Sequence, residues 1–337
     1  MECDEGTRDI SVRGQQEILL SETRPTENVR REQPKMKQII SACNKEIRIT
    51  GRLLRIGRAE GDGYESIEAP ETMVEGLRTC GVRIDLFTFL QLQPETLPKY
   101  DYPMELDNAA VVPVSTFDQW WNQQIRPEAR NRARQAEKKG VVLREVPFDD
   151  VLAKGIWEIY NESPFRQGRR FPHYGKDLKT VYAESATFLD SSFFIGAFFR
   201  DKLIGFVKLT TDQSKTRANL MNILSAIEHR DKAPTNALIA HSVRSCADRG
   251  IQQLVYQRFA YGNKEADGIM KFKQVNGFKR VDLPRYYVPI TTLGSVAFRM
   301  GLHHPLIDRI PKSAAGKLRE LRNSWYSRRF QTVKEST

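Results

Sequence analysis

Apolar and polar residues alternate through EIRITGRLLRI (46–56), the period-two pattern of a strand with one face buried. GDG at 61–63 marks a turn, Pro70 and Glu71 open a short helix through ETMVEGLRTC, and Gly81 ends it. VRIDLFTFL (82–90) reads as the next strand. Pro94, Pro98 and Pro103 make 91–108 a connection, and AAVVPV follows as a short strand. Thr116 is placed to cap a long helix from Phe117 to Lys139, with Gly140 where a C′ glycine belongs. Pro127 kinks this helix or splits it in two. A strand over 141–147 and a helix over 149–160 come next. NESPFRQGRRFPHYGK (161–176) is then a loop dense in arginine, with Pro164, Gly168 and Pro172 blocking regular structure.

Three apolar runs follow, SFFIGAFFR (192–200), KLIGFVKLTT (202–211) and RANLMNILSAI (217–227), separated by polar turns. They read as a meander of antiparallel strands. A helix from about Pro234 to Arg249, a strand over 251–260, a helix over 263–275 and a final strand pair or bent strand complete the ordered part. No internal repeat is visible. The expected organisation is a disordered polar tail (1–35), an N-terminal half (36–140), a second domain (141–294) and a basic helical tail (295–337).

Composition narrows the class. No apolar run reaches the ~18 residues that span a bilayer, and the polar N-terminus has no secretory core. Cys3, Cys43, Cys80 and Cys246 lie far apart without a CxxC pair, which argues for a reduced, cytoplasmic protein without a metal site. The net charge of +11 favours anionic partners. It is concentrated at 126–144, where Arg126, Arg130, Arg134 and Lys138 fall four apart, and at 309–334. Solvated helix faces account for such runs equally well. His303-His304 has no carboxylate or cysteine spaced nearby to complete a metal site, so the pair reads as a turn element.

The order strand–strand–strand–helix–strand–helix–strand, with a helix ending FKQVNGF, resembles the GNAT acyltransferase fold. It is most similar to the FemAB-like branch, whose members often carry an FK..(F/W)G signature here. RNRARQAEKKGV (130–141) also looks like the basic, helix-closing segment of that branch. The resemblance covers roughly 110–290 and implies a mixed α/β fold: a degenerate N-terminal GNAT-like half followed by a full GNAT domain with a mixed sheet flanked by helices. It also implies transfer of an acyl group to a small-molecule or peptide amine.

The donor implied by the fold is acetyl-CoA or another acyl-CoA; aminoacyl-tRNA is the alternative implied by the FemAB-like branch. A donor phosphate belongs at the start of the helix after the meander, where free N–H groups and the helix dipole attract anions. His229, Arg230, Lys232, Thr235 and Asn236 stand there. The glycine-rich loop of CoA-binding GNAT enzymes is missing, since no glycine occurs between Gly205 and Gly250. Lys273, four residues before Gly277, occupies the register where the FemAB-like branch has a lysine and is expected to stabilise developing negative charge; otherwise it is a surface lysine. In the 161–176 loop, Arg166, Arg169, Arg170 and His173 are candidates for substrate binding, and Glu162 and Tyr174, with His173, for taking the amine's proton. Plain loop packing is the alternative. A non-catalytic module that binds anionic partners, or a membrane-surface binder using Leu318, Leu321, Trp325 and Phe330, stays open.

Overall fold

The computed structural model describes residues 38–166, 169–260 and 268–304. The expected N-terminal tail and the C-terminal amphipathic helix lie outside them. Along the chain, β1 (Gln38–Ala42), β2 (Lys45–Thr50) and β3 (Ile56–Ala59) form a meander, followed by α1 (Pro70–Thr79), β4 (Leu86–Leu90) and β5 (Met104–Pro113). The alternating run at 46–56 is broken at Gly51, whose φ is +97° and where a Cβ would sit 2.0 Å from the Leu54 carbonyl oxygen. The long helix expected from 117 to 139 is split. Thr116 caps a short turn, α2 (Phe117–Gln119), which passes into a π turn over Trp120–Gln124. Then α3 (Pro127–Lys138) starts with Pro127 in its first turn.

After α3 come β6 (Val142–Val146), α4 (Asp150–Asn161), the two-residue strands β7 (Phe165–Arg166) and β8 (Arg169–Arg170), and α5 (Leu178–Ser185). The expected meander follows as β9 (Ser192–Phe199), β10 (Lys202–Thr211) and β11 (Arg217–Ser225). The chain continues through α6 (Pro234–Asp248), β12 (Gln253–Gln257), α7 (Gly268–Val275), β13 (Lys279–Pro289) and α8 (Thr292–Arg299).

Two stretches share one order, a repeat that the sequence hides. Three antiparallel strands, a helix and a strand parallel to the third occur as β1–β2–β3–α1–β4 and again as β9–β10–β11–α6–β12. The chain forms two compact units, divided at Asp107/Asn108 and Asp282/Leu283, so position 140 falls inside the second unit. The first unit has the strand order β1-β2-β3-β4-β13, and the second has β5-β12-β11-β10-β9-β6. β13 therefore lies antiparallel to β4, and β5 lies antiparallel to β12.

The first unit's core packs Ile47, Leu77, Phe87, Phe89 and Tyr286. In the second unit, Trp120, Leu209, Leu220, Leu238 and Leu254 form one core, and Leu152, Ile156, Phe194 and Phe206 form a smaller one. The first of these cores is closed by the end of α7. The Phe278 N–H donates to the Lys273 carbonyl and the Gly277 N–H to that of Gln274, the six-to-one and five-to-two bonds of a glycine-closed helix end. Gly277 has φ +84°, and a Cβ there would meet Trp120 Nε1 at 3.1 Å and the Gln124 carbonyl at 3.2 Å. Gly277→Val should therefore cost about 1–3 kcal/mol, read as a lower urea midpoint; an unchanged midpoint would refute this account of the helix end.

Candidate functional site

The site begins with a parallel strand pair that stops early. β11 and β12 are in register only from Arg217↔Gln253 to Asn219↔Val255. Beyond that, β11 runs on beside β10 to Ser225, and β12 beside β5 to Gln257. The two strands part, and a cavity of about 630 Å³ lies at the opening. Ile223, Leu224 and Ser225 line one side and Tyr256 the other, with Ile269 and Phe272 of α7 contributing apolar surface. Among the described residues, no strand covers β11 on this side from Leu220 onward, so its edge can accept an extended ligand.

The mouth is positive. The N-terminus of α6 enters the lining with Ala233, Pro234, Thr235 and Asn236. Ala233 is left-handed (φ 52°), and no side chain caps the helix. Its amide end thus presents partial positive charge. Thr235 Oγ1 lies 2.9 Å from Ser225 Oγ, joining the helix start to the end of β11. The Arg230–Lys232 turn before α6 is fixed from the end of α3, where the C-cap residue Lys139 donates to the Asp231 carbonyl (2.9 Å) and carboxylate (3.1 Å). Arg132 of α3 and Arg230 bring exposed guanidinium groups to the lining, and no acidic residue joins them there.

Several expected site residues meet here, and others have different work. Arg166, Arg230, Thr235 and Asn236 line the cavity. Arg166 also donates to the carbonyls of Ser225 and Ile159, both at 2.7 Å, and pairs with Glu162 at 3.1 Å. Glu162 was expected to take a proton. Instead its carboxylate accepts the N–H groups of Ile227 (2.6 Å) and Glu228 (2.8 Å) as well as Arg166, and so ties down the loop after β11. His229 and Lys232 pack on the Phe199 ring, outside the lining. Arg169 and Arg170 are exposed on β8, and Tyr174 is exposed; none of the three lines the cavity. His173 packs at a tilt between Tyr160 and Phe171, and burial pulls its pKa below the usual imidazole value.

Lys273 departs furthest from expectation. It is fully buried, neither on the surface nor in the lining. Its ammonium donates to the carbonyls of Gln257 (2.8 Å) and Arg258 (2.5 Å) and lies 4.1 Å from the centre of the Tyr256 ring. Burial pushes its pKa down to about 8. Lys273 thus holds the strand end that carries Tyr256, a cavity wall. Lys208 behaves similarly: buried, with its pKa pushed down to about 8, it donates to the Ser185 carbonyl at the end of α5 (2.9 Å) and to the Thr187 carbonyl.

Arg132 and Tyr256 also line the cavity and are not among the residues the sequence marks. Arg132 lies off the four-residue stripe, whose Arg130 and Arg134 sit over the Trp121 ring, 5.9 and 5.4 Å from its centre. The signal for Arg132 was its place in the basic helix; Tyr256 carried none.

No family model matches the chain, and a search of curated proteins finds no match. Solved structures do resemble it. The C-terminal domain of a candidate lysylphosphatidylglycerol synthetase from Agrobacterium fabrum superposes with a TM-score of 0.52 at 13% identity, over 78% of this chain and 87% of that one. L-PGS from Bacillus licheniformis gives 0.54 at 12% identity, with the same coverage. FemX gives 0.48 at 9% identity, over 74% of this chain and 87% of its own. The chain has the fold of the first two of these structures. At these identities the likeness is one of architecture alone.

Removing the Lys273 ammonium leaves two carbonyls without their donor. Lys273→Met should lower stability by about 2 kcal/mol. Wild-type stability by chemical denaturation would show that the ammonium is not holding this wall.

Proposed function

We propose that this chain is an acyltransferase of the N-acyl type, taking its acyl group from a phosphate-bearing donor, acyl-CoA, and passing it to an amine. The observation that carries the reading is the opening between β11 and β12, with an uncapped helix N-terminus and the unopposed Arg132 and Arg230 at its mouth. A phosphate suits that mouth, and a narrow chain bearing amides suits the uncovered β11 edge behind it. When bound, the donor supplies the activated carbonyl.

This chain's own residues then position and shield. Ile223, Leu224, Tyr256 and Phe272 form walls that exclude water beside the reacting groups. Arg166 fixes the end of β11, and Glu162 fixes the loop that leads to α6. No carboxylate or imidazole lines the cavity among the described residues. The reading therefore rests on alignment and positive charge rather than on a general base in the wall.

A second donor class, aminoacyl-tRNA, is supported by the absence of a glycine-rich loop before α6 and by the likeness to L-PGS, whose name describes an enzyme making an aminoacylated lipid. Arg132 and Arg230 suit the phosphates of either donor. An amine remains the acceptor in the first reading.

Donor binding separates the two. Acetyl-CoA should raise the unfolding midpoint and uncharged tRNA should not; the reverse pattern selects the tRNA donor. The Arg132→Gln, Arg230→Gln double variant should raise the donor KM by about tenfold or more, at the ~1.5 kcal/mol of a charged hydrogen bond, with kcat little changed. An unaltered donor KM would remove the phosphate seat from the proposal.

A further inference from the structure

A second constellation stands apart from this cavity, within the first unit. Nε2 of His303 and Nε2 of His304 each lie 3.0 Å from the same Glu105 oxygen. All three ligand atoms fall within 4.8 Å of one another. Glu105 is near the start of β5, and the two histidines form part of the turn after α8, 198 and 199 residues further on. Folding supplies the carboxylate of this group from a distant stretch of the chain.

We propose that Glu105, His303 and His304 form a zinc-class divalent metal site that clasps the start of β5 to the turn after α8. Two imidazoles and one carboxylate are a donor set for zinc, whereas calcium and magnesium prefer oxygen ligands. Zinc bonds run to about 2.0–2.2 Å, so ligand atoms 3.0 Å apart can close on one ion with only a small shift. His303 is pre-oriented for this. Its side chain is 2% exposed; its ring stacks on Phe298 at 4.9 Å and packs at a tilt against Tyr287 at 4.6 Å, so aromatic rings hold it. Glu105 and His304 are 36% and 42% exposed, which leaves an ion a path from solvent and a coordination position for water.

The group also fits a plain hydrogen-bonded cluster, in which both rings donate to one carboxylate oxygen. The two accounts differ in their response to metal. The untagged full chain, stripped with chelator, should bind zinc stoichiometrically by calorimetry. With free zinc at about a hundredfold over Kd, its unfolding midpoint should rise by about 5 °C, while magnesium should leave it unchanged. His304→Ala, at an exposed position, should keep the metal-free midpoint and lose the zinc response. His303→Phe, which preserves an aromatic ring in the stack, should lose it as well. No zinc-dependent shift in the wild type, or an equal shift in both variants, would overturn the site and leave the hydrogen-bonded cluster.

Discussion

The second unit depends on an opening in its own sheet. A parallel ladder satisfies backbone groups on both strands, and β11 and β12 give that up after three residue pairs. Buried N–H and C=O groups left without partners cost about as much as lost hydrogen bonds. Here side chains replace part of the ladder. Arg166 answers the Ser225 carbonyl, Glu162 answers the amides of Ile227 and Glu228, and Lys273 answers the carbonyls of Gln257 and Arg258. These charged residues look like chemistry in the sequence, yet each holds backbone at or just past a strand end.

That division of labour explains what could be read from the chain and what could not. The meander at 192–227 was legible because each run is apolar and bounded by short polar turns. Pro127 and Gly140 were legible because each carries its own backbone constraint, a fixed φ in one case and a tolerated positive φ in the other. The function of a charge was not legible. Nothing local distinguishes Lys273 under Tyr256 from a solvated lysine, because the difference lies in carbonyls some fifteen residues away. The stripe at 126–138 shows the same limit: two of its arginines sit over Trp121, and the arginine of this helix that lines the cavity, Arg132, lies off the stripe.

Strand partnership was the other hidden layer. β5 and β13 have the composition of ordinary strands, but the first is paired with β12 and the second with β4. Period-two patterning says which face of a strand is buried and is silent on its neighbour. The repeated order β1–β4 and β9–β12 was hidden for a related reason. Repeated architecture needs only matching apolar periods, and unrelated side chains can supply those.

The FKQVNGF signature can now be assigned by position. Phe272 lines the cavity, and Lys273 holds the Tyr256 strand end from behind. Buried Asn276 donates to the Phe272 carbonyl and accepts the Trp120 indole N–H through its own carbonyl, and Gly277 makes the turn that brings Phe278 into the core. Each residue serves the geometry of one wall. A motif of this kind marks where a cleft is built and leaves the identity of the bound molecule to the residues at its mouth. If the proposed function holds, those residues, Arg132, Arg230 and the start of α6, are where donors that share a phosphate but differ in size would be told apart.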